Sequence, residues 1–572
     1  MPTMPSSTDP TASAQSQASG LQRAAIGAGL WLWRQALERP GLYFGLLLSL
    51  LILPTLWSRH LWPNDELRHA AVFWEMISQG NYFALSLNGE LYPDKPPIYF
   101  WLLGAVSFVT QSSDAWIFFL TVGLTAAFMA WVTFLLARDA AQMGREGAVV
   151  SVLVLLSTFY FVDRAHFPRM DLLFASFMAL SLRSFAMSFR DRDAQSPVAL
   201  GIVYATLAAL TKGPLGFGFP VIAFLVTLLL AGQLGRAVSR RMIVGLALSA
   251  GLVALYAAGT WAEAGWDYLA AVASYSEDRS GLLGRGSGVW LYLGWMAPNW
   301  MPWTLVLLVL PWGRLLAALP GAVRPRGDAA ASGRLLLGVY MVLVFAVLSA
   351  MQYRLQFFQV IFLPPLSVAI AGAVLLLSDL RWRLFATGLG ALLMLAGLVM
   401  PVVSRMPSIG VIVENSVLQG AVAALVGGAL ILVARAGLRP SLAVLSVGVT
   451  LVVLPHFLIS YPQTGSDTKA AFDEAARAAI ADGAAPMGYR ITAKAGYYQY
   501  PLRSRLEMHR TWPELNAALV ARDGAVVVVL NQSDWKGWPD RPPEAVIAAE
   551  TQLRRARFVR QLPLYLVAIP AP

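Results

Sequence analysis

The sequence predicts an all-α polytopic membrane protein with a small α/β domain at its C-terminal end. Of its 572 residues, 57% are hydrophobic and 13% are charged, and the mean hydropathy is +0.60, whereas soluble globular proteins are about 45–50% apolar and about 25% charged. Apolar runs of membrane-spanning length recur between residues 41 and 460. This composition excludes a cytosolic enzyme, a nucleic-acid-binding protein and a disordered scaffold. The chain has no cysteine, which excludes disulfides and thiol catalysis.

The apolar runs predict about 13 transmembrane helices within residues 41–460. The first span follows Arg23, Arg34 and Arg39, so the positive-inside rule places the N-terminal segment 1–40 in the cytoplasm. About the first 22 residues, rich in Ser, Thr, Ala and Gln, are expected to be disordered. The predicted spans are 41–57, 115–137, 147–163, 171–189, 197–211, 214–232, 242–262, 289–312, 335–351, 356–378, 384–402, 415–434 and 440–460.

Arginines in alternate loops support this topology. Each loop assigned to the cytoplasm carries at least two of them, as the positive-inside rule requires. The net charge of +11 is therefore mainly a topological signal, and we expect no nucleic-acid partner. The loop arginines are Arg138, Arg145, Arg190, Arg192, Arg236, Arg240, Arg241, Arg314, Arg324, Arg326, Arg381, Arg383, Arg435 and Arg439.

Two long loops and a terminal domain are predicted on the outer face. Residues 58–114 form the large loop, with amphipathic helices at 69–77 and 98–108 lying in the interface, because the apolar run there is too short to span. Residues 263–288 form the second loop. Residues 461–572 have the composition of a soluble α/β domain, with helices predicted at 469–481 and 512–522 and strands at 524–530 and 563–569.

Charged residues in the outer loops are the candidates for chemistry. Asp65 and Glu66 follow the first span, although an acidic pair at a membrane surface can simply be solvated. Asp171 lies at the mouth of a span, where an ionisable residue is costly and commonly functional; capping of the helix N-terminus is the alternative reading. Lys95 and Lys212 are the only lysines before residue 460, which indicates a specific need such as phosphate binding, although Lys212 could also extend to the interface from an apolar stem.

The predicted topology brings eight such residues from five loops to one membrane face. Several cations and carboxylates at the headgroup plane suit the transfer of a group carried on a lipid phosphate. The cations would stabilise the leaving phosphate, and a carboxylate would orient or deprotonate the acceptor. The eight residues are Asp65, Glu66, Lys95, Asp171, Lys212, Arg279, Arg285 and Arg354.

Short motifs are spread over residues 62–365: Asp65-Glu66-Leu67-Arg68-His69-Ala70, Asp94-Lys95-Pro96, Asp171, Thr211-Lys212-Gly213-Pro214, Arg354-Leu355 and Pro364-Pro365. They resemble the motifs of the bacterial lipid A 4-amino-4-deoxy-L-arabinose (aminoarabinose) transferases. This family has the GT-C fold and is related to the protein O-mannosyltransferases. His69, Asp94, Arg354 and Phe358 stand where the family has Tyr, Glu, Lys and Tyr, and loss of the last hydroxyl is compatible with a different sugar or acceptor.

The resemblance implies an inverting transfer of aminoarabinose from undecaprenyl phosphate to a phosphate of lipid A, on the periplasmic face of the inner membrane. Asp65, Asp171 and Glu66 would be the catalytic residues. Asp65 would act as a general base only for a hydroxyl acceptor, because a phosphate is already ionised. The residues that would bind substrate are Lys95, Arg279 (with Arg285 as the alternative phosphate-binding arginine), Arg354, Arg68, Asp94, Lys212 and Phe358.

The resemblance also sets expectations for cofactors and partners. We expect no required cofactor. A divalent metal ion is an open alternative, because Asp94, Glu66 and His69 offer suitable ligand atoms, although their spacing matches no metal motif. The partners expected are the lipid-linked donor, lipid A and membrane lipids, with the protein itself a monomer.

Three other functions remain open. The nearest is a polyprenyl-phosphate-sugar transferase that acts on protein or another glycan. A lipid-linked sugar transporter is disfavoured, because transporters place ionisable residues near the middle of the membrane, whereas here they cluster at one face. A scaffold that presents the C-terminal domain would not need the charged cluster.

Overall fold

The structure is a computed structural model. It describes residues 20–57, 61, 65–190, 196–278, 288–323, 328–352, 354–405, 416–456, 458, 466–491, 496–552 and 563–571. Two predicted phosphate-binding residues, Arg279 and Arg285, lie outside the described residues, as do the first 19 residues of the chain.

Helices make up most of the described chain. Up to residue 278 they are α1 (Gly20–Glu38), α2 (Pro40–Ile52), α3 (Asp65–Gln79), α4 (Ile98–Thr110), α5 (Trp116–Leu135), α6 (Gly144–Leu156), α7 (Phe159–Ala165), α8 (Asp171–Met187), α9 (Ser196–Lys212), α10 (Leu215–Leu230) and α11 (Arg240–Asp278). From residue 288 to 455 they are α12 (Gly288–Asn299), α13 (Trp312–Val323), α14 (Ala329–Ala350), α15 (Leu363–Leu375), α16 (Asp379–Val403), α17 (Ser416–Ala434) and α18 (Leu438–Pro455).

The chain is a multi-pass membrane protein. Within the described ranges, two bent helix pairs are each long and apolar enough, taken together, to cross a membrane: Gly20–Glu38 with Pro40–Thr55, and Gly144–Leu156 with Phe159–Ala165. Seven further helical segments are long and apolar enough on their own: Ala115–Ala140, Arg240–Ser274, Ala329–Ala350, Gln356–Leu375, Asp379–Val403, Ser416–Ala434 and Leu438–Pro455.

Proline interrupts helices in two regions where the observed structure differs from the predicted one. Residues 20–22 are helical, although the sequence predicts disorder there, and α1 meets α2 at a bend of 115° next to Pro40. The predicted span 289–312 is not one helix: α12 ends just after Pro298, and a 3-10 turn, Trp303–Leu308, follows Pro302. Proline lacks the N–H that would continue the preceding helix, which explains both interruptions.

The described residues form two compact units. Unit 1 draws on Met1–Pro54, Val122–Leu255 and Ser276–Phe457, and unit 2 on Thr55–Thr121, Tyr256–Tyr275 and Leu458–Pro572. Unit 1 is a helical bundle in which small residues permit close packing. A Cβ built on Gly397 of α16 would lie 2.3 Å from the carbonyl oxygen of Gly420 on α17, so a larger residue there would push these helices apart.

Unit 2 combines the segment Thr55–Thr121 with an α/β region. In this segment, a short hairpin, β1 (Ser86–Leu87) and β2 (Glu90–Leu91), lies between α3 and α4. The α/β region has strands β3–β7 in the order β4-β3-β5-β7-β6, parallel from β4 to β5 and antiparallel beyond. Its elements are α19 (Ser466–Ala481), β3 (Ala485–Tyr489), α20 (Gly496–Leu502), β4 (Glu507–His509), α21 (Trp512–Val520), β5 (Val526–Asn531), α22 (Gln532–Lys536), β6 (Val546–Gln552) and β7 (Pro563–Ile569).

The central strand β5 organises the core of this sheet. It reads Val-Val-Val-Val-Leu-Asn, and its first five residues are buried, as expected for a strand covered on both faces. Val528 and Leu530 pack with Met487, Tyr489 and Val567 in one cluster. At the start of α21, Thr511 and Glu514 form a reciprocal capping box, which satisfies backbone N–H groups that the helix leaves unpaired.

Candidate active site

The first charged cluster begins at α3. Asp65 is the first residue of this helix and Arg68 lies three residues later, so their side chains share a face and form an ion pair. Both side chains are about one-fifth exposed. Glu66 and His69 turn to the buried side of the same helix, where His69 packs edge-to-face against Tyr99 and Phe100.

The second part of this cluster is the proline-rich segment before α4. Arg68 also approaches Asp94, with 3.8 Å between Nη1 and Oδ2. The Lys95 ammonium lies 2.7 Å from Asp94 Oδ1, and the Tyr92 hydroxyl donates to Oδ2 at 3.3 Å. Asp65, Arg68, Asp94 and Lys95 therefore form a row of alternating charges, which we call the outer network.

Two residues of α11 hold the outer network's loop in place. The Tyr268 hydroxyl donates to the carbonyl oxygen of Tyr92 at 2.8 Å. The carboxylate of Glu263 accepts hydrogen bonds of 2.7–3.0 Å from the backbone N–H groups of residues 82–84. Sequence reasoning missed both contacts, because they join positions about 180 residues apart and no local pattern signals them.

Asp171 is the centre of a second cluster, which lies in unit 1. It is the first residue of α8 and not the residue that caps it; its carboxylate forms ion pairs with Lys212 and with Arg169, the latter at 2.8 Å. All three side chains are at most 8% exposed. Burial of a carboxylate is tolerated when such partners offset its charge. Arg169 is not among the site residues that the sequence predicts.

Aromatic rings enclose the cations of this second cluster. The Lys212 ammonium lies 4.8 Å from the ring centre of Phe357, 5.1 Å from that of Phe358 and 5.5 Å from that of Phe174. The Arg169 guanidinium lies 4.0 Å from the centre of the Phe357 ring. Cation–π contacts of this kind are strongest where water is excluded. We call Asp171, Lys212 and Arg169 the caged cluster.

A 3-10 helix, Gln356–Phe362, presents the two phenylalanines. Gln356 donates to Asn299 Oδ1 at 3.2 Å, and Asn299 donates to Gln359 Oε1 at 3.1 Å. The Tyr160 hydroxyl donates to the carbonyl oxygen of Gln356 at 3.0 Å. These amides and the hydroxyl fix the turn and thereby the rings over Lys212.

Arg354 lies at the beginning of the chain segment that leads into this turn. A Cβ built on Gly288 would be 2.7 Å from Arg354 Nε and 2.0 Å from the carbonyl oxygen of Ser349. Only glycine fits at this position, which is the first residue of α12. Arg354 is therefore packed against the start of α12. The residues just before α12, 279–287, include Arg279 and Arg285 and lie outside the described residues.

The described residues bring no three His, Asp or Glu side chains together in a way that could hold a metal ion. Asp94, Glu66 and His69 accordingly do not form such a group. The chemistry available at the outer network is that of two partly exposed cations and two carboxylates. This set can bind an anionic phosphate and orient a second substrate by hydrogen bonding.

Comparison with known proteins gives consistent relatives. No family model matches the chain. It is 26% identical over 339 residues to the undecaprenyl phosphate-alpha-4-amino-4-deoxy-L-arabinose arabinosyl transferase of Edwardsiella ictaluri, covering 55% of this chain and 56% of that protein. It is also 26% identical over 351 residues to the corresponding transferase 1 of Proteus mirabilis, covering 59% and 60%. The matches thus span little more than half of these relatives' length.

The fold matches a solved structure over almost its full length. The crystal structure of ArnT from Cupriavidus metallidurans in the apo state aligns with a TM-score of 0.69 at 20% identity, covering 92% of this chain and 97% of that one. The same protein bound to undecaprenyl phosphate aligns with a TM-score of 0.66 at 19% identity. The chain therefore has the GT-C fold of membrane glycosyltransferases. Among these proteins it resembles the aminoarabinose transferases, as the sequence motifs indicated.

Proposed function

We propose that this protein is an inverting glycosyltransferase of the bacterial inner membrane. It moves 4-amino-4-deoxy-L-arabinose from undecaprenyl phosphate to a phosphate of lipid A, a modification associated with polymyxin resistance. The observation that carries the proposal is the outer network, Asp65, Arg68, Asp94 and Lys95, within a fold shared with an aminoarabinose transferase. Named relatives at 26% identity support the same reaction.

The proposal includes a topology of about 13 spans. The N-terminus is cytoplasmic, and the outer network and the α/β domain of residues 461–572 are periplasmic. Arginine-rich loops on the opposite side support this arrangement. Lipid-linked sugars and lipid A then meet the site at the plane of their headgroups.

In the proposed reaction, a phosphate oxygen of lipid A attacks the anomeric carbon of the sugar. The bond from that carbon to the undecaprenyl phosphate oxygen breaks, and its electron pair leaves with the phosphate. Lys95 and Arg68 bind the departing phosphate, because their cationic N–H donors compensate its developing charge. Both side chains are 13–17% exposed, which leaves them accessible while partly screening the site from water.

We assign Asp65 an orienting and electrostatic role. Its ion pair with Arg68 favours the ionised carboxylate, which suits stabilisation of positive charge on the sugar. A phosphate acceptor needs no general base, since it is ionised at neutral pH. Glu66 lies on the buried side of α3, so we propose that it supports the position of Asp65.

The caged cluster has a supporting role in the proposal. Asp171 and Lys212 neutralise each other in a setting that is at least nine-tenths buried, and Phe358 covers the ammonium. We propose that they hold in place the helices of unit 1 that carry them. We also propose that Arg354 and Arg279, with Arg285 as the alternative to Arg279, contribute positive charge to binding of the donor.

The remaining parts of the proposal concern cofactors and assembly. We propose that the residues act without a required cofactor and that the protein is a monomer. Its partners are the lipid-linked donor, lipid A and the surrounding membrane lipids.

A second candidate is transfer of another polyprenyl-phosphate-linked sugar to protein or to a different glycan. The observation that favours it is Phe358, whose ring lies over Lys212 and provides no hydroxyl where the resembled family has one. Loss of a hydrogen-bonding group in a sugar site changes selectivity strongly, because a matching hydroxyl of the substrate would stay unpaired.

The test is mass spectrometry of lipid A from cells that make the donor but lack their own transferase. Cells complemented with wild-type protein should gain lipid A carrying one added pentosamine. Asp65→Asn should lower the modified fraction by about 100-fold or more, as expected for loss of a group that acts on the transition state. Glu90→Gln, an exposed acid-to-amide change on β2, is the matched control and should behave as wild type.

The outcomes separate the two candidates. A wild-type protein that is present in the membrane but leaves lipid A unmodified rules out the aminoarabinose reaction in favour of the second candidate. An Asp65→Asn variant with wild-type activity removes Asp65 from the site.

A further inference from the structure

A fully buried carboxylate lies on the same helix as Asp65 and Glu66. Glu75, near the C-terminal end of α3, has a side chain that is 0% exposed. Its Oε1 accepts a hydrogen bond of 2.8 Å from the backbone N–H of Gly89 in the β1–β2 turn. A carboxylate buried to this extent needs a cation or several donors to offset the loss of hydration.

The cation comes from the α/β region at the other end of the chain. Arg505, in the segment between α20 and β4, places Nε 2.6 Å from the same Oε1 of Glu75. The guanidinium also lies about 3.6 Å from the position a Cβ would take on Gly89. A single arginine thus joins α3 and the hairpin turn to the α/β region.

Two neighbouring contacts make the same connection. Asn88 exchanges hydrogen bonds with the backbone of Leu506, both at 2.9 Å, and its own N–H donates to Gln499 Oε1 at 3.1 Å. Further along, the Tyr500 hydroxyl donates to the carbonyl oxygen of Ser113 at 2.7 Å. The α/β region is therefore attached to both ends of the loop segment that contains Asp94 and Lys95.

We infer that Arg505 is a positioning residue for the proposed transfer, acting through Glu75 on the helix that carries Asp65. This inference rests on the proposed function. It gives the α/β region a role in the reaction that does not require it to touch either substrate.

The mechanical argument follows from helix geometry. Ten residues separate Asp65 from Glu75, about 15 Å along one helix. A helix behaves as a rigid rod over this distance, so a shift at Glu75 moves Asp65 relative to Asp94 and Lys95. A displacement of about 1 Å at a reacting group can cost about 100-fold in rate.

The experiment compares purified full-length variants in an assay with the lipid-linked donor and lipid A. Arg505→Gln leaves the buried Glu75 carboxylate without its cation, and we expect kcat to fall about 10- to 100-fold while the KM for the donor stays within about threefold. The double variant Glu75→Gln/Arg505→Gln removes the unbalanced charge and should recover most of the lost kcat.

Hydrogen–deuterium exchange provides a readout that is independent of turnover. In Arg505→Gln, amides of α3 should exchange faster, while those of the central strand β5 should exchange as in wild type. Arg522→Gln is the matched control, because Arg522 pairs with Glu507 on the surface of the same region and both side chains are 43% exposed. It should change neither kcat nor exchange in α3.

Each outcome decides a separate point. Unchanged kcat in Arg505→Gln overturns the inference. Faster hydrogen–deuterium exchange throughout β5 also overturns it, because the ion pair between Arg505 and Glu75 would then only stabilise the fold. If the wild-type protein transfers no sugar, the proposed function fails. In that case, hydrogen–deuterium exchange of the α3 amides, which does not depend on turnover, still tests whether Arg505 positions this helix.

Discussion

Charged residues are informative in this chain because they are few. Only 13% of the residues are charged, so a charged residue outside the arginine-rich loops is a candidate for a specific role. Asp65, Arg68, Asp94 and Lys95 were all singled out from the sequence, and the structure joins them in the outer network. Their proximity follows partly from local geometry, since Asp65 and Arg68 are three residues apart on a helix and Asp94 and Lys95 are adjacent.

Lys212 illustrates what sequence alone left undecided. The sequence was compatible with a phosphate-binding lysine or with one that reaches toward the interface. In the structure its ammonium pairs with Asp171 and is surrounded by phenylalanine rings. The choice depended on residues 41 and about 145 positions away in the chain, which no local pattern could reveal.

We therefore predict that Lys212→Met destabilises the protein by about 3–5 kcal/mol, because Asp171 stays buried after losing one of its cations. The measurement is the midpoint of chemical unfolding in detergent. Lys536→Met, at an exposed lysine, is the control and should shift the midpoint little. A Lys212→Met protein as stable as wild type would show that the ion pair contributes nothing to the fold.

At the scale of elements, hydrophobic periodicity predicted most helices and the most apolar strands. The predicted helix at 69–77 is observed as Asp65–Gln79, and the predicted strand at 524–530 as Val526–Asn531. Strands β3, β4 and β6 were not predicted. They are short or carry Gly, Pro and Glu, and they depend on pairing with β5 and β7 because their own propensity for strand structure is low.

Helix α20 gives a pH-dependent prediction. Burial raises the pKa of Tyr500 to about 12, above the usual value of about 10 for tyrosine. Between pH 10 and pH 12 the Tyr500 hydroxyl loses its proton in the unfolded chain but keeps it in the folded protein. The free energy of unfolding is therefore unaffected by this group below about pH 10 and declines by about 2–3 kcal/mol toward pH 12. Tyr500→Phe should make the unfolding midpoint less sensitive to pH in this window.

The measurement is unfolding followed by tryptophan fluorescence at several alkaline pH values. Tyr82→Phe, at an exposed tyrosine, serves as the control and should retain the wild-type slope. An identical slope in Tyr500→Phe would mean that Tyr500 does not titrate in this way.

At the scale of the whole molecule, the distribution of arginine predicts which loops face the cytoplasm. Because the chain has no cysteine, single cysteines can test this without altering a background protein. In intact spheroplasts, a membrane-impermeant maleimide should label Gln79→Cys and Asp523→Cys but leave Ser378→Cys unlabelled until the membrane is permeabilised. All three positions are exposed. Labelling of Ser378→Cys before permeabilisation would contradict the proposed topology.

The sequence by itself determined the membrane class, the approximate position of most helices and a short set of charged candidates. These features depend on composition, on hydrophobic periodicity and on residues close together in the chain. Tertiary structure alone decided that Lys212 is caged, that Glu263 and Tyr268 hold the loop before Asp94, and that Arg505 reaches Glu75 from 430 residues away. The physical reason is that a buried charge or hydroxyl is satisfied by whatever donor or acceptor folding brings beside it, and sequence distance places no limit on that partner.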